Sequence, residues 1–183
     1  YLSENFSLVA GLLIVFIFIM ILYFMSKTFN VYSTKNRLKI IKNYVNIEGF
    51  PFKTSGNIKL KNCYILSSYN TALNANQMLT YVDSVLVKEI LQCGARYLEF
   101  EIFNDKYGDD AEPVISNGYR IGEWKMTLNN LNFEELIIVL KENAFKILDG
   151  QGSGVNNPDD PLFLALNLNT NNNIYCLNKI FDI

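Results

Sequence analysis

The chain is 183 residues long, with a formal charge of −2, 50% hydrophobic residues, 14% aromatics, three cysteines and no histidine. That length ordinarily holds one domain, and the small net charge singles out no class of partner. The folded part is acidic and carries no nucleic-acid motif, so no nucleic-acid partner is expected; the cysteines, odd in number and without paired metal spacing, fit a cytoplasmic setting.

The sequence opens on Tyr1 rather than Met, as a fragment or processed product would. From Leu8 to Met25 it runs without charge or proline, and with Phe6 and Ser7 it reaches the ~20 residues a helix needs to cross a bilayer. Phe6 and Tyr23 stand where interfacial aromatics would. A cleaved signal peptide would need a basic start, a small-residue cleavage site and an apolar core of only ~7–15 residues. Here Glu4 precedes the run and Ser26-Lys27-Thr28 closes it. A buried core helix would show some polar face. Residues 1–27 are therefore expected to form an exterior tip and a membrane-spanning anchor. Lys27, Lys35, Arg37, Lys39 and Lys42 follow, which puts the N-terminus on the exterior or lumenal side and the remainder in the cytoplasm. Residues 28–61 read as a basic juxtamembrane connector with turn residues Gly49, Pro51, Ser55 and Gly56. Such a segment can rest on anionic headgroups at about 1 kcal/mol per basic residue.

Residues 62–183 alternate strand and helix. Cys63–Ser67 is an apolar strand running into a polar turn. Val82, Val85, Leu86, Ile90 and Leu91 recur at helical spacing and predict a helix over Val82–Gln92. A strand Arg96–Phe103 follows, then an acidic loop Asn104–Glu112, a short strand Val114–Ser116 and a turn at Gly118. Asn132 is placed to cap a helix Phe133–Leu148, with Glu134 and Glu135 in the first turn, where acids suit the dipole. Leu162–Leu168 is almost wholly apolar, as a buried parallel strand should be, and Asn171 or Asn172 caps a last helix, Ile174–Phe181. This order argues for a parallel sheet or barrel. The loop Asp149–Asp160 has oxygens at calcium-loop-like spacing around Gly154, but Pro158 and Pro161 favour a surface insertion.

Glu99 and Glu101 alternate along the second strand and so share one of its faces. Such a pair suits a hard cation, a cationic partner or simply water. The surrounding blocks narrow the choice. Ser67-Ser68-Tyr69-Asn70-Thr71 comes first, then Gly94-Ala95-Arg96-Tyr97-Leu98-Glu99-Phe100-Glu101. Pro113-Val114-Ile115-Ser116-Asn117-Gly118-Tyr119-Arg120, Glu142-Asn143-Ala144-Phe145 and Pro161-Leu162-Phe163-Leu164-Ala165-Leu166-Asn167-Leu168 follow in order. Together they resemble the X region of phosphoinositide-specific phospholipase C. The resemblance implies an α/β fold of the TIM (β/α) barrel type, of which residues 62–183 would form the N-terminal half, since a whole barrel needs ~250 residues. It places the family's two catalytic histidines at Tyr69 and Asn117. It places four calcium ligands at Asn70, Glu99, Glu101 and Asn167, the last two being Asp and Glu in the family.

Tyr titrates near ~10 and Asn not at all, so neither replaces an imidazole near neutral pH. Losing a general acid or base costs on the order of 10² to 10⁴ in rate. With one carboxylate become an amide, calcium binding is expected to be weak or absent, and no other cofactor is implied. The expectation is a catalytically silent phospholipase-C-like module, anchored in a bilayer and docking other proteins of a membrane-associated assembly, such as the particle of a large virus. One alternative is a phosphoinositide headgroup binder without turnover, with Arg96, Arg120 and Lys125 supplying charge. Another is a divergent metal-dependent phosphodiesterase built on Glu99, Glu101 and Tyr69.

Overall fold

The computed structural model describes residues 2–44, 59–74, 79–119, 124–149 and 154–182. Its first element, α1 (Leu2–Tyr44), is a single helix of 43 residues, about 65 Å long at the usual rise per residue. Within it Leu8–Ser26 is exposed and has a mean hydropathy of 3.0, long and apolar enough by composition to cross a membrane. The connector expected from residue 28 is therefore helical as far as Tyr44, and its turn residues Gly49, Pro51, Ser55 and Gly56 lie outside the described residues. The helix continues because neither Gly nor Pro interrupts it after Gly11 and because the domain supports its second half. Thr34 Oγ1 donates to Asn74 Oδ1 at 2.6 Å, and the Cys93 thiol reaches the Leu38 carbonyl at 3.6 Å.

The domain is a mixed sheet with helices on one face. In chain order it comprises β1 (Ser67–Ser68), α2 (Ser84–Gln92), β2 (Tyr97–Asn104), β3 (Pro113–Ile115), β4 (Leu131–Asn132), α3 (Phe133–Asn143), β5 (Phe163–Asn169) and α4 (Ile174–Asp182). β2 is central. β5 lies parallel along it from Tyr97↔Phe163 to Phe103↔Asn169. The opposite edge of β2 is shared by β1, parallel at Ser67↔Tyr97, and by β3, antiparallel from Ile102↔Ile115 to Asn104↔Pro113. Thus β1, β2 and β5 form a parallel βαβαβ series, while β3 and β4 make an antiparallel insertion before α3. The turn between Asn104 and Pro113 is too short for a crossover, so the chain must return antiparallel. The described strands form an open sheet.

Local chemistry sets the helix ends. Asp83 accepts the Val85 N–H at 2.9 Å, so α2 starts at Ser84, and Val82 pairs with Leu73 in a β-bridge instead. Gly94, at φ 90°, closes α2 in a conformation that costs only glycine little. Asn132 caps α3 as expected, its Oδ1 accepting the Glu134 N–H at 2.8 Å, but the helix stops at Asn143 rather than Leu148. The cap of α4 is Asn173, which accepts the Cys176 N–H at 2.9 Å; Asn171 and Asn172 form the preceding turn at positive φ.

Leu98, Phe100 and Ile102 of β2 are fully buried beneath Leu86, Val87 and Leu91 of α2 and Phe133, Leu136 and Leu140 of α3. Burial of each such side chain stabilises the fold by about 1.5–3 kcal/mol. The same face of β5 differs from expectation, with Leu164 and Leu168 at 40% and 42% exposure. Their sequence is that of a buried strand, but β5 is an edge here.

Candidate functional site

The second face of β2 carries Glu99 and Glu101, both partly buried. Strand register sets Ala165 opposite Glu99 and Asn167 opposite Glu101. Asn167 Nδ2 leans along the strand and donates to Glu99 Oε1 at 2.5 Å. On the other edge, the Glu99 carbonyl accepts the Thr71 N–H at 3.0 Å and the Glu101 carbonyl accepts the Ser116 N–H at 3.2 Å. These backbone bonds bring the turn after β1 and the chain after β3 to the same pair of acids.

That turn is tight. Asn70 sits at φ 44°, a left-handed conformation that Asn tolerates, and its carbonyl accepts the Leu73 N–H at 2.9 Å. The Asn70 side chain is 8% exposed, and neither its Nδ2 nor its Oδ1 has a hydrogen-bond partner. Tyr69, just before it, projects outward at 60% exposure and donates its hydroxyl to Glu101 Oε1 over a long 3.4 Å. Asn117 is buried at 6%, its carbonyl accepting the Met126 N–H at 2.7 Å. Ser116 Oγ lies 2.5 Å from Thr127 Oγ1 beside it. The fold therefore gathers Tyr69, Asn70, Glu99, Glu101 and Asn167 into one cluster, with Asn117 two residues along the backbone from Ile115, the partner of Ile102.

Two of the three basic residues marked for a headgroup, Arg96 and Lys125, are otherwise engaged. Arg96 is 4% exposed; Nη1 donates to the Ala144 carbonyl at 2.6 Å, and Nη2 donates to the Asn157 carbonyl and, at 3.1 Å, to Asn157 Oδ1. Lys125 Nζ donates to the Asn104 and Asp105 carbonyls at 2.7 and 2.6 Å. Arg120 lies outside the described residues. A reading of charge alone marks Arg96 as a ligand; its position at the buried start of a strand makes it a brace. In the loop Asp149–Asp160, residues 150–153 lie outside the described residues. Asp160 accepts from Asn157 Nδ2 at 3.0 Å, next to the Arg96 brace, which accounts for its carboxylate without a metal.

Sequence patterning missed a polar notch beyond the ends of β2 and β5. Asn104, Asp109, Thr170, Asn171, Asn173 and Tyr175 line about 480 Å³ of open space there. The run of asparagines from Asn171 to Asn173 was its only signal in the sequence.

Residues 57–172 match the family model of phosphatidylinositol-specific phospholipase C, X domain. The chain belongs to this family. Among curated relatives, the 1-phosphatidylinositol 4,5-bisphosphate phosphodiesterase eta-1 of Mus musculus is 30% identical over 86 residues, covering 47% of this chain and 5% of that protein. The beta-2 form from Mus musculus is 33% identical over 87 residues, covering 48% of this chain and 7% of its own. This chain thus spans a small fraction of the curated relatives it matches. The crystal structure of S. officinalis PLC21 superposes on 69% of this chain and 15% of its own with a TM-score of 0.50 and 23% identity, a likeness of fold.

The family implies a calcium ion, and the X-domain residues of this chain test whether one fits. Calcium takes six to eight oxygens at about 2.3–2.6 Å. Here Asn167 turns an N–H toward Glu99, and Tyr69 turns an O–H toward Glu101. Both carboxylates face donors, and the amide that replaces the third family carboxylate adds no charge. The set does not fit the ion, although Asn70 retains two unpartnered polar atoms.

Proposed function

We propose that this X-domain protein is a catalytically silent, membrane-anchored docking module. The observation that carries the proposal is the fate of the two imidazole positions. No histidine exists anywhere in the chain, and Tyr69 and Asn117 stand where the resemblance puts the two proton-handling groups. Groups that give and take a proton near neutral pH contribute about 10² to 10⁴ in rate to the opening of a phosphodiester. A phenol hydrogen-bonded to Glu101 and a buried amide are poor substitutes for them. The apolar length of Leu8–Ser26 supports an anchor, and the lysines that follow it support a cytoplasmic domain. The parallel series β1–α2–β2–α3–β5 is read as the first part of a (β/α) barrel. Its partners would be the bilayer and neighbouring proteins, without a required cofactor.

Binding of an inositol phosphate headgroup without turnover is the second reading. The names of the curated relatives bring that substrate into view, but the engagement of Arg96 and Lys125 with backbone carbonyls weakens it. The test is the purified full chain in mixed micelles with phosphatidylinositol 4,5-bisphosphate, with and without calcium. Inositol phosphate release and heat of binding are followed together. Silence in both channels is expected. Heat without release would replace the docking role with headgroup binding. Release that vanishes in Glu99→Gln would overturn catalytic silence.

A further inference from the structure

The polar notch past the ends of β2 and β5 lies across the sheet from Glu99, Glu101 and Asn167. Side chains alternate along a strand, so Asn104 continues the face of Leu98, Phe100 and Ile102. Thr170 likewise continues the face of Leu164, Leu166 and Leu168. The two meet just past the last pair of these strands, Phe103↔Asn169, where Asn104 Nδ2 donates to the Thr170 carbonyl at 3.2 Å. Both line the notch and both are buried, at 1% and 3% exposure. The Thr170 hydroxyl has no hydrogen-bond partner among the described residues. Burying such a group is costly unless something bonds it, so a polar ligand seated there would gain from it.

The walls above this polar floor are held in place. Asn173 donates its Nδ2 to the Gly108 carbonyl at 2.8 Å and accepts the Cys176 N–H at 2.9 Å. The Tyr175 hydroxyl donates to Glu112 Oε1 at 3.1 Å, which fixes its ring beside the opening. The lining narrows the ligand. The asparagine amides both donate and accept, as does the Thr170 hydroxyl, while the Asp109 carboxylate only accepts. Neither Lys nor Arg is among the described lining residues, and the nearby Lys106 and Lys179 pair with Asp110 and Glu112. A phosphate or carboxylate would therefore meet Asp109 with no counter-charge. One carboxylate is too little charge to hold calcium well, and an apolar ligand would strand the amides. A neutral ring bearing several hydroxyls matches, because each hydroxyl also donates and accepts. The space of about 480 Å³ falls within the ~300–1,000 Å³ of small-ligand pockets.

We propose that this notch binds a neutral sugar, with Asn104 and Thr170 at its floor, Asn171, Asn173 and Asp109 around its mouth and the Tyr175 ring along one side. The site is separate from the acid cluster and depends neither on that cluster's silence nor on the anchor. The same sugar chemistry is offered by a free monosaccharide and by the end of a glycan.

The full chain is held in micelles of a detergent without a sugar headgroup, and saturation-transfer NMR is read on glucose, mannose and N-acetylglucosamine, on their methyl glycosides, and on glucose 6-phosphate. Transfer to at least one neutral sugar is expected, with a dissociation constant on the order of 1 mM, because each hydrogen bond made replaces one to water. Transfer to the matching methyl glycoside assigns a glycan end; transfer to the free sugar alone assigns the monosaccharide. Asn171→Gly removes one amide at an exposed position whose φ of 49° glycine takes without strain, and Asp109→Ala removes the exposed carboxylate. Each should weaken binding about threefold to tenfold at unchanged Tm. Glu99→Gln, across the sheet, should leave binding as it is. The proposal is overturned if no neutral sugar receives saturation, if neither notch variant weakens the transfer, if glucose 6-phosphate binds more tightly than glucose, or if Glu99→Gln weakens binding as much as the notch variants do.

Discussion

Truncating Arg96 tests the structural use of a residue whose charge alone would assign it to a ligand. The guanidinium is 4% exposed and joins three parts of the fold: β2, the end of α3 at Ala144 and the loop at Asn157. Asn157 in turn donates to Asp160 Oδ2 at 3.0 Å and to the Gly94 carbonyl at 3.3 Å. Burial pulls the guanidinium below its ordinary pKa, and Asp160 offsets part of that pull. The Phe145 ring lies 5.9 Å beneath it. Arg96→Ala strands the Ala144 and Asn157 acceptors and leaves Asp160, 9% exposed, without its nearby cation. One hydrogen bond to a charged donor is worth about 1.5–3 kcal/mol, and breaking a buried charged pair costs about 3–5 kcal/mol. These losses overlap, so a total of about 3–5 kcal/mol is expected. At about 2–4 °C per kcal/mol for a chain of this size, Tm should fall by roughly 6–20 °C. Trp124 fluorescence during a thermal scan of the detergent-solubilised full chain measures it. Arg96→Lys should recover only part, since an ammonium cannot fork between both carbonyls. An Arg96→Ala protein melting within about 2 °C of the parent would refute the brace. Unchanged melting with lost inositol phosphate binding would return Arg96 to the headgroup role.

Other consequences can be read in simple experiments. A Cβ on Gly154, at φ 106°, would sit 2.4 Å from the Ile147 carbonyl oxygen, so Gly154→Ala should cost about 1–3 kcal/mol in urea unfolding; a variant of parental stability would mean the Ile147–Val155 bridge does not form. Asn167→Glu removes the N–H that Glu99 accepts and adds a third carboxylate. Calcium should then raise the variant's Tm by mass action while leaving the parent's unmoved, and a parent that calcium stabilises would show that the present set binds the ion. Burial, reinforced by Asp105 and Glu112, pushes the Cys176 thiol up from 9.0 to about 11. The folded state thus holds that proton more tightly than the unfolded state does, so the contribution is complete below about pH 9 and lost as pH rises toward about 11. Urea midpoints should fall across that window and fall less in Cys176→Ala; identical profiles would remove Cys176 as the cause.

Much of the fold was legible in residue order. Helical spacing found α2, the Asn132 cap and the acids after it placed the start of α3 correctly, and the ordered blocks from Ser67 to Leu168 pointed to the phospholipase C X-domain family that the family comparison shows. Boundaries were less legible because they depend on partners. α2 starts two residues late since Val82 is drawn into a bridge with Leu73. The short β4 left no periodic trace, being two residues paired only with β3. The apolar run of β5 predicted burial on both faces, whereas exposure of Leu164 and Leu168 depends on which element lies beside the strand.

The sequence by itself determined the chemistry that this chain can bring to the site. The absence of histidine and the amide at Asn167 are facts of composition that no folding changes. It also determined the apolar helix, since a charge-free run of that length needs no long-range contact to be recognised. Only the tertiary structure decided how the polar groups are spent. Register on β2 turned Asn167 toward Glu99, and the turn after β1 carried the Tyr69 hydroxyl to Glu101. Burial at the start of the same strand made Arg96 a brace, and contact across the sequence set Tyr23 on Tyr81. The reason is physical: local propensity acts over a few residues, whereas a hydrogen bond or a buried charge takes its value from groups that the chain delivers from far away.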